Sequence, residues 1–99
     1  MDAMDVLVTY DVATDNAEGR RRLRHVATIC LNYGQRVQKS VFECSLTQMK
    51  YEEMKHHLMN TIEPDKDSLR LYRLPARREG FVEHFGRDGT VDFDGPLIV

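Results

Sequence analysis

Ninety-nine residues that are 41% hydrophobic and 30% charged, with a net charge of −2, make one small globular domain and exclude a fibrous or low-complexity chain. No run approaches the about eighteen apolar residues of a membrane span, and the N-terminal stretch with Asp2 and Asp5 lacks the basic flank of a secretory signal, so a cytoplasmic protein with no membrane partner is expected. Cys30 and Cys44 have neither CxxC spacing nor histidines at ligand intervals, which predicts two free thiols packed in the core.

Residues 5–11 form a nearly continuous apolar run that reads as a central strand and ends at Asp11. Asp15 or Asn16 can cap the helix that follows. Its apolar positions Leu23, Val26, Ala27, Cys30 and Leu31 recur at helical spacing, while Arg21, Arg24, His25, Thr28 and Asn32 fall opposite, and Gly34 is placed to stop it. The segment from Arg36 to Leu46 is strand-like, and Lys39 with Ser40 offers a bend that splits it into two paired pieces.

Thr47 caps a second helix with inner face Tyr51, Met54, Leu58 and Ile62, and Leu46 can staple against Tyr51 across that cap. The adjacent His56 and His57 lack the i, i+3 or i, i+4 spacing of a ligand pair and read as surface residues. A turn around Pro64 leads into a last strand, Leu69 to Leu74, ended by Pro75; alternation puts Arg70 and Tyr72 on one side and Leu69, Leu71 and Arg73 on the other. The chain closes on Leu97, Ile98 and Val99, three β-prone apolar residues best covered by pairing with a sheet edge, its own or a second copy's.

Strand, helix, split strand, helix, strand is the order of an α+β ferredoxin-like βαββαβ sandwich: an antiparallel sheet with both helices on one face. The organisation expected is a domain over residues 1–78 and an extension over 79–99. The uncovered sheet face must meet something, whether a second copy, nucleic acid or a ligand, and the apolar ending points to a second copy.

The small net charge hides segregation. Residues 16–41 balance to +5 and residues 68–78 to +4, whereas 1–15, 42–67 and 79–99 are all acidic. Ten of the fourteen basic residues are arginine, whose planar fork matches phosphate. A carboxylate at a strand end, Asp11, followed by an arginine-rich helix, points to metal-assisted phosphate chemistry. A lone carboxylate is a poor divalent site, so the site is stronger if doubled by symmetry. The competing reading is a carboxylate that ends a strand and caps a turn.

Tyr10, Asp11 and Val12 at the strand end, RRRLRHVATICLNYG over residues 20–34, QRVQKSVFEC over 35–44 and DSLRLYRLP over 67–75 together resemble the CRISPR-associated protein 2 family across the whole chain. The Gly95 to Val99 run resembles the branch that accompanies type I-C systems. The resemblance implies a homodimer in which the C-terminal strand of each subunit completes the other's sheet, with Asp11 of each copy facing the other across the two-fold axis. It also implies a metal-dependent endonuclease cutting double-stranded DNA or RNA, with Asp11 the metal ligand and, with Tyr10, catalytic. Arg20, Arg22 and Arg36 are the implied phosphate contacts, Phe42 an aromatic beside the site, and Mg2+, with Mn2+ as substitute, the cofactor. The setting implied is CRISPR adaptation, the acquisition of spacers for antiviral defence, alongside the CRISPR integrase. The alternative is a non-catalytic DNA-binding scaffold that bridges integrase subunits, and the plainest reading is an interaction domain without nucleic acid.

Overall fold

In the computed structural model, which describes residues 3–74 and 83–87, the chain runs β1 (Met4–Asp11), α1 (Ala17–Tyr33), β2 (Gly34–Gln38), β3 (Val41–Leu46), α2 (Gln48–Thr61) and β4 (Ser68–Leu74). The strands form one antiparallel sheet in the order β2-β3-β1-β4, the ferredoxin-like arrangement. Its register sorts residues by face. Val6 pairs with Cys44 and Val8 with Phe42, and these, with Tyr10 and Leu46, pack against Val26, Ile29 and Cys30 of α1 and Tyr51, Met54 and Leu58 of α2. Burying a side chain the size of Phe42 or Leu58 contributes roughly 1.5–3 kcal/mol, so this layer carries most of the stability.

Among the described residues the other face bears no helix. It presents Leu7, Thr9 and Asp11 from β1, Tyr72 and Arg70 opposite them on β4, and Val41 and Glu43 on β3. Tyr72 is 41% exposed and Leu7 half-buried, so the face is partly apolar. The expected C-terminal strand at Leu97 to Val99, and the extension over 79–99 apart from 83–87, lie outside the described residues.

Three local details differ from expectation. Leu31 is 41% exposed and Ile29 takes its place in the core, because the buried stripe drifts along α1 through Val26, Ile29 and Cys30. Gly34 ends α1 without a left-handed turn: its φ of −164° is extended and it opens β2 at once. A Cβ there would run into the Cys44 Sγ and the Glu43 carbonyl, so close strand approach is what selects glycine. Finally β2 starts two residues before Arg36, and a register shift between Arg36 and Gln38 bends its end. The bend at Lys39 and Ser40 is as expected, and Asn16 caps α1, its side-chain oxygen accepting from the Gly19 amide at 2.8 Å.

Candidate active site

Antiparallel register collects the functional candidates at one end of the sheet. The end of β1, the start of β4, the β2–β3 turn and the N-terminus of α1 all meet there. All six of the expected site residues sit near this end, but on two different faces.

Asp11 is the last residue of β1 and pairs with Ser68 of β4 on the open face. It is exposed, and its carboxylate has no hydrogen-bond or ion-pair partner among the described residues. Tyr10, one residue earlier, points the opposite way into the helix-covered layer and is 6% exposed. Its ring stacks on Phe42 at 6.1 Å and 23°, and its hydroxyl donates to the Lys39 carbonyl at 3.3 Å. Burial pushes the phenol pKa up, and the Arg36 guanidinium offsets part of that rise.

Phe42 is fully buried, so neither ring face is open to a base. The Arg36 guanidinium lies over its ring at 5.0 Å, a cation–π contact, and the Arg36 Nε is buried without a hydrogen-bond partner among the described residues. Beside it a cavity of about 330 Å³ is lined by Tyr10, Leu23, Arg36, Lys39 and Ser40.

The arginines of α1 divide. Arg20 is exposed and makes one long bond, Nη1 to the Thr14 carbonyl at 3.4 Å. Arg22 turns inward: its Nε donates to Asp67 Oδ2 at 2.9 Å and its Nη2 to Asp67 Oδ1 at 3.2 Å. The Asp67 side chain is wholly inaccessible and also accepts from the amides of Ala13 at 3.1 Å and Glu63 at 2.9 Å. The Arg22 guanidinium, helped by those two amides, holds the Asp67 pKa down to about 2. Sequence reading passed over Asp67, since nothing in the local pattern separates it from Asp65 two residues before. Its partners lie 45 and 54 positions away. On β4, Arg70 faces the open side and its Nη1 donates to the Tyr72 hydroxyl at 3.1 Å, while Arg73 faces the helices and lies 5.9 Å from the Tyr51 ring.

Among the described residues no group of three or more His, Cys, Asp or Glu side chains could hold a metal ion. His56 and His57 are exposed on α2, with His56 bonded to Asn60. At the open-face end of β1 the carboxylate without a partner among the described residues is that of Asp11. That donor set fits a hard divalent ion that takes one or two carboxylates and fills its octahedron with water and substrate phosphate.

The family described as CRISPR associated protein Cas2 matches residues 4–80. The chain belongs to that family. It is 47% identical over 96 residues to the CRISPR-associated endoribonuclease Cas2 1 of Moorella thermoacetica, covering 97% of this chain and all of the relative. It is 48% identical over 95 residues to the CRISPR-associated endonuclease Cas2 of Halalkalibacterium halodurans, covering 96% of this chain and 99% of the relative. The crystal structure of Streptococcus pyogenes Cas2 at pH 6.5 superposes with a TM-score of 0.76 at 52% identity, covering 84% of this chain and all of that one. The chain contains no helix among its described residues long and apolar enough to cross a membrane.

Proposed function

We propose that this Cas2-family chain is a divalent-metal-dependent endonuclease that hydrolyses phosphodiester bonds in duplex DNA or RNA and acts as a homodimer in CRISPR adaptation, with the integrase as partner. The observation that carries this reading is the exposed carboxylate of Asp11 at the end of β1, which among the described residues has no partner and lies on the sheet face that no helix covers. The names of the relatives, endoribonuclease and endonuclease, support the same chemistry.

Asp11 and its counterpart in a second copy would hold Mg2+, or Mn2+ in its place. Such an ion supplies Lewis acidity toward water and the phosphoryl oxygens. The chain's own part is binding and orientation. Arg20 contacts the phosphodiester backbone from the first turn of α1, and Arg36 adds positive charge from the edge strand β2. Tyr10 and Phe42 act from the other side of the sheet by fixing the end of β1 and the β2–β3 turn.

The test is cleavage of duplex DNA and single-stranded RNA in Mg2+ by wild type and Asp11→Asn purified side by side. Loss of activity by at least about a hundredfold in the variant, and its abolition by EDTA, is the expected result. Equal cutting by both proteins ends the nuclease reading. Wild type that binds duplex without cutting leaves the scaffold.

A further inference from the structure

The Asp67 carboxylate is the most heavily bonded side chain at the Asp11 end of the sheet, and the chemistry just proposed makes no direct use of it. A carboxylate has about four lone-pair sites, and Asp67 fills them with four N–H donors. Oδ1 takes the Ala13 amide and Arg22 Nη2, and Oδ2 takes the Glu63 amide and Arg22 Nε. Three separate pieces of chain are thereby tied to one group: the loop leaving β1, the second turn of α1 and the turn before β4.

Each tie bears on Asp11. Ala13 is two residues beyond it, and Ser68, the residue after Asp67, is its partner across the sheet. Between them Val12 is buried, and a Cβ on Gly19 would strike the Ala13 carbonyl, so α1 abuts the same peptide from the other side. The backbone just beyond Asp11 and the strand opposite it are thus fixed through Asp67, while Asp11 itself stays exposed and has no partner among the described residues.

We infer that Asp67, held by the fork of Arg22, is a positioning residue that sets the direction in which Asp11 leaves β1. This rests on the nuclease reading for its consequence in catalysis and on geometry alone for its structural part. It gives Arg22 a role inside the protein, in place of the phosphate contact expected from the sequence. Misplacing a catalytic group by about 1 Å can cost on the order of a hundredfold in rate, so a carboxylate carried on a chain end needs such a support. Asparagine cannot replace Asp67, because its NH2 would face two of the four donors.

The experiment uses the full chain with Asp67→Asn and, as a milder variant, Arg22→Lys, whose ammonium cannot span both oxygens. Backbone amide spectra without metal or substrate read the geometry directly. In Asp67→Asn the Asp11 and Ala13 amides shift and Ala13 exchanges about tenfold faster, with a smaller change of the same sign in Arg22→Lys. In cleavage assays the Mn2+ concentration for half-maximal rate rises about tenfold, whereas duplex affinity measured in EDTA stays within about twofold. A folded Asp67→Asn protein with wild-type Asp11 and Ala13 amides, or with an unchanged Mn2+ midpoint, overturns the inference even if it melts earlier. If Asp67→Asn does not fold, Arg22→Lys decides by the same readouts. If wild type does not cut, the nuclease reading has failed, and the amide spectra alone decide whether Asp67 positions Asp11.

Discussion

Tyr10 and Asp11 are consecutive in β1 and project from opposite faces of the sheet, the phenol into the packed layer and the carboxylate into the open. Within one chain the two groups open onto different sides of the sheet. The Tyr10 hydroxyl bonds to the Lys39 carbonyl over a long 3.3 Å, while the ring is what packs on Phe42. Tyr10→Phe keeps the ring and removes only that bond, for a cost of about 1 kcal/mol or less in thermal unfolding. Cleavage by Tyr10→Phe is expected within about twofold of wild type. A loss near a hundredfold would place the phenol in the chemistry.

Acid unfolding should report on Asp67. Its folded pKa, about 2, lies below the ordinary value of 3.8, so its contribution to stability is complete above the ordinary value and is lost as pH falls through the folded one. After allowance for solvent near Arg22, that contribution is about 1–2 kcal/mol. Denaturant midpoints measured from about pH 5 down to about pH 2 should fall steeply in wild type and less steeply in Asp67→Asn. Identical slopes for the two proteins would show that another carboxylate dominates the acid limb.

Gly34→Ala isolates a steric demand. The extended φ of −164° suits alanine, so any loss comes from the Cβ meeting Cys44 and the Glu43 carbonyl across the β2–β3 pair. Backbone on one side cannot yield cheaply, and a destabilisation of about 1–3 kcal/mol is expected in chemical denaturation. An unchanged midpoint would mean that β2, an edge strand, slides to make room.

The same residues show what a sequence can and cannot carry. Periodicity in Val6, Val8, Val26, Cys30, Tyr51, Met54 and Leu58 is local, and it disclosed the strands, the helices and most of the core because burial selects apolar residues at fixed spacing. Asp11 was legible for a similar reason, as a charge at the end of an apolar run. Asp67 was not, since its meaning comes from Ala13, Glu63 and Arg22 converging in space. Arg20 and Arg22 look equivalent in the sequence, and a helical offset of two residues, about 200°, is what turns one to solvent and the other to Asp67.

That divergence gives a sharp test of phosphate contact. Nucleic-acid affinity falls with salt in proportion to the phosphates neutralised, with a logarithmic slope of about 0.9 per contact on duplex DNA. Arg20→Gln should lower that slope by about one for each protomer engaged and leave the melting temperature unchanged, because the bond from Arg20 to the Thr14 carbonyl is long and exposed. Arg22→Gln should do the reverse, leaving the slope intact and lowering the melting temperature by several degrees, since it strips a buried carboxylate of its counter-charge. Duplex binding by fluorescence anisotropy across a salt series, with thermal melts of the same preparations, checks both. A slope that drops for Arg22→Gln without a loss of stability would return Arg22 to the phosphate surface and leave Asp67 held by the Ala13 and Glu63 amides alone.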